Sequence, residues 1–249
     1  RLRMELSLLF RNVNSLTQEK LFSIRASFEA DIYALAETKQ NETRMQELTL
    51  KGYTSYYKCR SPASYSSNRV YGGVALYISN AISNSIKIIR SQLPDVLWIQ
   101  LNKRLLGLAK DLFLAVVYIP PHSSSWHSQL GSDIFDDLSL EVENFTSLGH
   151  VVLVGDFNSK THFSTGLSNL PQADPCEPFF PISNNVNSFS RISKDNSPID
   201  YFGRHLINMC TNLNMIILNG CVGTDRLVGN YTFYKRLSSG LIQQSVIDY

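Results

Sequence analysis

The sequence predicts an α+β fold, and three features indicate it. Short apolar runs with the alternating or β-branched pattern of strands recur along the chain of 249 residues. Other segments repeat apolar residues at steps of three or four, as amphipathic helices do. The first strand, helix and next strand follow one another as in a βαβ unit. Because the composition is 43% hydrophobic and 18% charged, we expect a globular protein with a single domain over residues 1–249.

The N-terminal segment predicts a strand, a helix and a second strand in that order. Over residues 4–10, apolar side chains alternate with others, which predicts a strand with one core face. Ser15 and Gln18 have the S-x-x-Q spacing of a capping box, so we expect a helix over residues 17–29. The second strand, IYALA, delivers Glu37 at its carboxyl end.

The middle of the chain predicts hairpin strands with no helices between them. These strands are expected at residues 53–59, 72–79, 85–90 and 95–101. Residues 103–110 resemble a turn, and residues 112–117 predict a buried strand. Tyr118 emerges from that strand just before a Pro-Pro pair, which ends sheet pairing because proline lacks the backbone donor.

The second half predicts two amphipathic helices, at residues 130–145 and 201–213. Between them, the β-branched run at residues 151–154 predicts a strand buried on both faces. A segment rich in Ser, Asn and Pro over residues 161–198 predicts a long surface loop. Three further strands are expected at residues 215–220, 230–235 and 243–249.

Composition and charge exclude several classes of protein. The four cysteines contain no C-x-x-C pair, so neither a zinc site nor a disulfide framework is indicated. Reduced thiols in an intracellular protein are therefore the simpler interpretation. No apolar run approaches the ~20 residues that span a bilayer, and we expect no membrane partner. The net charge of +2 combines a basic N-terminal half with an acidic C-terminal half, which suits a polyanion beside an acidic cleft and is also common by chance.

The segment HVVLVGDFNSK, residues 150–160, ends an apolar run in two polar side chains. Asp156 and Asn158 lie two apart on extended chain, so their side chains are expected to point the same way, with Phe157 pointing into the core. A carboxylate and a carboxamide side by side suit a phosphoester, because one handles a proton or metal and the other donates to a phosphate oxygen. A simple turn is the alternative, because Gly-Asp and Asn-Ser are common turn pairs.

Further polar side chains follow other apolar strands. Each has an ordinary alternative: Asn12 as a helix cap, Glu37 as a solvated strand end, and Tyr118 as a half-buried core aromatic. Because open sheets place their chemistry at the carboxyl ends of strands, their common position suggests one site. The set expected there comprises Asn12, Glu37, Tyr118, Asp156, Asn158 and Asp248.

The order of these motifs resembles a known superfamily. NVNSL, ETK, VVYIPP, VGDFN and SVIDY succeed one another as in the endonuclease/exonuclease/phosphatase superfamily, over nearly the whole chain. RISKDN, the helix G-R-x-L-x-x-x-C, LNMIILNG and GTDRLVGNYTF resemble most closely the endonuclease domain of LINE-type (non-LTR) retrotransposons. The resemblance implies a four-layer α/β/β/α sandwich of two mixed sheets flanked by helices.

The resemblance also implies an incomplete C-terminus. Relatives carry a Ser-Asp-His motif beyond the SVIDY strand, whereas this chain begins with Arg1 and ends at Tyr249. We therefore expect a truncated domain whose final strands are missing. None of the five histidines follows an Asp, so none is assigned the catalytic role. We expect these residues alone to nick DNA weakly, because losing a positioned proton-transfer group costs ~10²–10⁴ in rate.

The resemblance implies a metal site at the ends of the first two strands. Glu37 would ligate a divalent cation with help from Asn12, and Asn14 would lie at the edge of the same site. Oxygen ligands of this kind suit Mg²⁺, with Mn²⁺ as the other possible ion.

Phosphate and DNA contacts are implied in the same way. Tyr118 and Asn158 would hold the scissile phosphate, and Asp156 would act near the attacking water or the leaving oxygen. Asp248 would orient the catalytic histidine. Residues near the DNA groove or supporting the site would be Thr232, in a threonine-aromatic pair, and Ser245. Loop and strand-end cations such as Arg60 are candidates for phosphate contacts.

Three functions follow from these expectations. The first is a Mg²⁺-dependent DNA endonuclease that nicks target DNA in the nucleus, so that the reverse transcriptase of the same polyprotein can prime from the new 3′ hydroxyl. The second is an abasic-site or exonuclease-type repair nuclease, which would share the site and differ in its loops. The third is a truncated, inactive fragment. The sequence gives neither the DNA target nor the oligomeric state.

Overall fold

The computed structural model describes residues 5–60, 70–130, 132–164, 166, 191–226, 228–236 and 242–249. The chain divides into two compact units. Unit 1 comprises residues 1–120 and 141–156, and unit 2 comprises residues 121–140 and 157–249. The single domain expected over residues 1–249 stays a prediction.

Unit 1 contains two four-stranded mixed sheets. The first sheet has the order β1 (Leu8–Asn12), β2 (Ile32–Ala36), β4 (Val74–Ser79) and β3 (Tyr53–Lys58). The second sheet has the order β5 (Ile86–Ile89), β6 (Val96–Leu101), β7 (Leu112–Tyr118) and β8 (His150–Asp156). Each sheet has one parallel pair, β1 with β2 and β7 with β8, and its other pairs are antiparallel.

The two sheets pack face to face because alternate strand residues are apolar on both sides. Ile32, Ala34 and Ala36 of β2 share one buried cluster with Leu114 and Val116 of β7. The intervening residues of β2 turn to the opposite face, so this strand is fully buried. Burial on both faces explains why IYALA is a continuous apolar run rather than an alternating one.

Helices cover the outer faces of both sheets. Leu21 and Ile24 of α1 (Gln18–Ser27) and Met45 of α2 (Glu42–Glu47) pack on the outer face of the first sheet. On the second sheet, Trp98 and Phe113 contact Phe145 of α4 (Ile134–Leu148), with ring centroids 4.6 and 4.8 Å apart. The short helix α3 (Lys103–Leu106) replaces the expected turn. The α+β class, with two mixed sheets flanked by helices, is confirmed.

Unit 2 is built around one amphipathic helix, α5 (Tyr201–Asn212). Phe202, Leu206 and Met209 form its buried stripe, as the periodicity predicts. Asp200 caps the helix, because its carboxylate accepts the backbone N–H of Gly203 at 2.6 Å. The same unit contains an antiparallel pair of strands, β9 (Phe233–Arg236) and β10 (Ile242–Ser245).

Several local predictions were wrong. The cap of α1 is Thr17 rather than Ser15, because the backbone of Ser15 has a positive φ of 77° while its N–H bonds to Glu37 O. Gln18 bonds instead to the main chain of Thr49. Residues 151–154 are only partly buried, and residues 215–220 form no strand. Most of the loop expected at residues 161–198 lies outside the described residues. No helix in the described part of the chain is long and apolar enough to cross a membrane.

Leu35 offers a direct test of the packing on β2. Its side chain is fully buried against α1, so Leu35→Ala should lower the free energy of unfolding by about 2–5 kcal/mol through lost transfer energy and a cavity. Leu140→Ala is the matched control, because Leu140 is 60% exposed and its loss should change stability by no more than about 0.5 kcal/mol. Urea unfolding measures both values, and equal losses would contradict the packing described here.

Candidate active site

The carboxyl ends of four strands in unit 1 bring polar side chains together. Asn12 is the last residue of β1 and pairs in register with Ala36, so Glu37 follows directly at the same edge. Tyr118 and Asp156 are the last residues of β7 and β8, and they are also paired in register. The parallel direction within each pair is what places both ends at one edge.

Two hydrogen bonds connect the two sheets at this edge. Asn12 Nδ2 donates to Asp156 Oδ2 at 2.7 Å, and the Tyr118 hydroxyl donates to Glu37 Oε1 at 2.5 Å. Each bond joins a residue of the first sheet to a residue of the second. Asn12, Glu37, Tyr118 and Asp156 therefore form one site, which we call the strand-end cluster.

Burial and charge keep the Tyr118 phenol protonated. The side chain is only 6% exposed. Burial raises the pKa of Tyr118 far above its usual value, and the negative charges of Glu37 and Asp156 and the hydrogen bond to Glu37 raise it further. A protonated phenol is a neutral donor, so it can bond to an anionic oxygen at any physiological pH.

Glu37 lies in a left-handed backbone conformation, with φ of 54°. This conformation is unfavourable for a residue with a Cβ, and neighbouring backbone bonds hold it in place. Ser15 N–H donates to Glu37 O at 2.8 Å, and Thr38 N–H donates to Gly73 O at 3.1 Å. Glu37 has this backbone conformation where the chain leaves β2, and its carboxylate accepts the hydrogen bond of Tyr118.

Asn14 is linked to the strand-end cluster through Lys39, which is not among the predicted site residues. Lys39 Nζ lies 2.7 Å from Glu37 Oε2 and donates to Asn14 Oδ1 at 2.6 Å. Asn14 N–H in turn donates to Asn12 Oδ1 at 3.0 Å. The only sequence signal for Lys39 was its place in the ETK motif.

The donor set of the strand-end cluster fits a hard divalent cation. Within the cluster, Glu37 and Asp156 supply carboxylates and Asn12 supplies an amide oxygen. The neighbouring Asn14 supplies a second amide oxygen, and all of these groups suit Mg²⁺. The ammonium of Lys39 between Glu37 and Asn14 shows that these oxygens attract a positive charge. Within the described ranges no group of three or more His, Cys, Asp or Glu could hold a metal, and Mg²⁺ commonly binds through only one or two carboxylates.

Unit 2 contains the other predicted site residues. Thr232 Oγ1 accepts the backbone N–H groups of Ile247 and Asp248, both at 3.1 Å, and Asn219 Nδ2 donates to Asp248 O at 2.9 Å. Thr232 N–H donates to the carbonyl of Ser245, a buried residue at the end of β10. Thr232 and Ser245 thus hold the backbone that carries Asp248, and their expected roles beside the DNA groove or in support of the site stay predictions.

Asn158 follows a buried aromatic in the same unit. Phe157 is 1% exposed, as predicted, and its N–H donates to Ile247 O at 3.1 Å. Asn158 is half-buried and has a positive φ of 46°, a conformation that asparagine tolerates better than most residues. Its assignment to the scissile phosphate stays a prediction.

The model of the endonuclease/exonuclease/phosphatase family matches residues 12–241, which is most of the chain. The chain belongs to this family. The match begins at Asn12 and includes Glu37, Tyr118 and Asp156 of the strand-end cluster. No curated protein sequence matches the chain.

Solved structures similar to this family member include three DNA-processing proteins. The AP endonuclease LMAP from Leishmania major is 15% identical, with a TM-score of 0.49 over 66% of this chain and 59% of that one. The Xenopus laevis APE2 catalytic domain is 20% identical, with a TM-score of 0.48 over 67% and 62%. The 3′ phosphatase NExo from Neisseria, bound to a product DNA hairpin, is 18% identical, with a TM-score of 0.43 over 63% and 59%. This chain therefore spans less than two thirds of the length of each of these three structures.

The raised pKa of Tyr118 predicts a measurable dependence of stability on alkaline pH. A buried tyrosine whose folded pKa exceeds its unfolded value of about 10 stabilises the fold fully below pH 10 and loses that contribution as pH rises. Above pH 10, Tyr118→Phe should therefore lose stability less steeply than the parent protein, by up to about 1.4 kcal/mol per pH unit.

Urea unfolding at intervals from pH 9 to pH 11.5 measures this difference. Tyr201→Phe is the matched control, because the Tyr201 side chain is 43% exposed. If Tyr118→Phe and the parent protein showed the same slope, Tyr118 would not be buried in its protonated form.

Proposed function

We propose that this chain is a metal-dependent DNA endonuclease that nicks target DNA for a LINE-type retrotransposon. In this proposal the nick supplies a 3′ hydroxyl from which the reverse transcriptase of the same polyprotein primes synthesis in the nucleus. Membership of the endonuclease/exonuclease/phosphatase family supports phosphodiester chemistry. The observation that carries the proposal is the strand-end cluster, where two carboxylates, an amide and a protonated phenol meet.

The chemistry of the cluster suits hydrolysis of a phosphodiester. The reaction needs an aligned water, relief of negative charge on the phosphate, and a stabilised leaving oxygen. Glu37 and Asn12 would hold Mg²⁺, or Mn²⁺ in its place, and the ion would offset the developing negative charge. The Tyr118 hydroxyl, which donates to Glu37, would turn its one O–H to a phosphate oxygen, without the repulsion that a third carboxylate would add.

Asp156 is the proton-handling group in this proposal. Asp156 is 3% exposed and is the last residue of β8. Its Oδ2 accepts the hydrogen bond of Asn12, which fixes the carboxylate at the strand end. From there it would orient the attacking water or the leaving oxygen. Asn158 and Asp248 lie in unit 2, and the roles expected of them, a phosphate contact and the orientation of a histidine, stay predictions.

The retrotransposon assignment rests on the motifs of the C-terminal half. RISKDN, the helix with Gly203 and Cys210, and SVIDY follow one another in an order that resembles that of LINE-type endonucleases. Gly203 has a structural reason for its place: a Cβ there would lie 1.9 Å from Lys160 O, so the helix approaches the GDFNSK segment closely. The same strand-end cluster would serve an abasic-site or exonuclease-type repair nuclease equally well, which makes substrate preference the deciding property.

A plasmid-nicking assay tests the proposal with the protein expressed from its complete reading frame. Asp156→Asn should reduce the metal-dependent nicking rate ~10²–10⁴-fold, because a positioned proton-transfer group is lost, while DNA binding is retained. Asp111→Asn is the matched control, because that carboxylate accepts from Lys103 N–H and Gln100 and lies outside the cluster.

Nicking at the parental rate by Asp156→Asn would contradict the proposed chemistry. A second substrate, a duplex with one abasic site, separates the two nuclease functions. The retrotransposon proposal predicts similar nicking of intact and abasic DNA. A preference for the abasic duplex of about 100-fold or more would favour the repair nuclease instead.

A further inference from the structure

A buried ion pair lies directly behind the strand-end cluster. Arg60, which follows β3, donates from its guanidinium to Asp95 Oδ2, and Asp95 precedes β6. The side chain of Arg60 is 10% exposed and that of Asp95 is not exposed at all. As a loop cation, Arg60 is a sequence-based candidate for phosphate contacts, but its side chain lies in the interior of unit 1.

The backbone of the Gly-Gly pair before β4 is shaped around this ion pair. Gly73 N–H donates to Asp95 Oδ1 at 2.6 Å. A Cβ added to Gly72 would lie 2.7 Å from Arg60 Cζ and 2.8 Å from Asp95 Oδ1. Both glycines also have positive φ, 65° and 84°, which other residues rarely adopt. Space for the pair therefore depends on these two glycines.

The pair holds Tyr118 from two sides. Asp95 O accepts the backbone N–H of Tyr118 at 3.0 Å. The guanidinium of Arg60 lies over the Tyr118 ring, with Cζ 6.0 Å from the ring centroid. Tyr118 in turn directs its hydroxyl to Glu37. The main chain, ring and hydroxyl of this tyrosine are each restrained by a separate contact.

Stability alone gives a poor account of this ion pair. Removing two charges from water costs several kcal/mol for each ion, and apolar residues of similar volume often replace such pairs without loss. A buried ion pair beside a site can serve to fix one geometry of that site. This pair also places a positive charge near Glu37.

We propose that Arg60 and Asp95 are positioning residues for Tyr118, holding its ring where the hydroxyl donates to Glu37 and from where the same O–H would turn to the scissile phosphate. The orientation of Tyr118 follows from the contacts of unit 1 alone, whereas its catalytic consequence rests on the proposed nuclease function. The two parts therefore require two readouts.

The first readout is the ¹³Cζ resonance of Tyr118 in protein labelled with [¹³Cζ]tyrosine, assigned by its absence in Tyr118→Phe. Arg60→Met should shift this resonance, because the phenol loses its fixed hydrogen bond to Glu37. Lys58→Met is the matched control: Lys58 lies on β3, is half-buried and donates to Ser91 O and Leu93 O, away from Tyr118. It should leave the resonance unchanged.

The second readout is a double-mutant cycle in the nicking assay. Arg60→Met should lower kcat about 10- to 100-fold through misplacement of the phenol, with KM changed by no more than about threefold. In the Tyr118→Phe background the same substitution should have little further effect, because residues acting through one group are not additive. Arg60→Lys keeps the charge and should restore part of the activity.

Each outcome decides the inference. An unchanged Tyr118 resonance in folded Arg60→Met overturns it, whether or not the protein nicks DNA, and so does an equal loss of kcat with and without the Tyr118 hydroxyl. If Arg60→Met shifts the Tyr118 resonance but the parent protein nicks no DNA, the positioning role is upheld and the nuclease function is rejected. If Arg60→Met fails to fold, the double variant Arg60→Met, Asp95→Leu removes both charges and carries the same expectations.

Discussion

The site depends on two hydrogen bonds that cross between the sheets of unit 1. Asn12 bonds to Asp156, 144 positions away in the chain, and Tyr118 bonds to Glu37, 81 positions away. Both become possible only because the sheets pack face to face with the ends of their parallel strand pairs at one edge. The apolar interior between the sheets therefore fixes the polar chemistry at its rim.

That arrangement has a cost, which the surrounding residues offset. The buried carboxylate of Asp156, the partly buried carboxylate of Glu37 and the buried phenol of Tyr118 lose hydration, so each requires a partner. Asp156 accepts from Asn12, Glu37 accepts from Tyr118, and Lys39 provides a counter-charge to Glu37. The left-handed backbone at Glu37 adds strain that local bonds sustain. Strain and buried charge concentrated at one edge are typical of functional sites, and less so of structural ones.

Sequence reasoning predicted the elements that depend on local pattern. The IYALA strand, the buried β7 strand and the amphipathic α5 helix follow from apolar spacing. Features that depend on competing local bonds or distant partners were missed. Thr17 rather than Ser15 caps α1 because the backbone of Ser15 already bonds to Glu37. Arg60 pairs with Asp95, which lies 35 positions away in another segment, and no sequence pattern links the two. Arg60 therefore has the sequence features of a surface cation although it is buried.

A crystal structure of the protein soaked with Mn²⁺, with the ion placed by anomalous scattering, tests the central claim most directly. The account predicts a peak about 2.0–2.3 Å from a carboxylate oxygen of Glu37. The hydrogen bond from Asn12 to Asp156 should be retained in the same crystal. A fully occupied Mn²⁺ peak elsewhere, or Glu37 and Asp156 separated by more than about 15 Å, beyond the reach of one hydrated metal ion, would contradict the account.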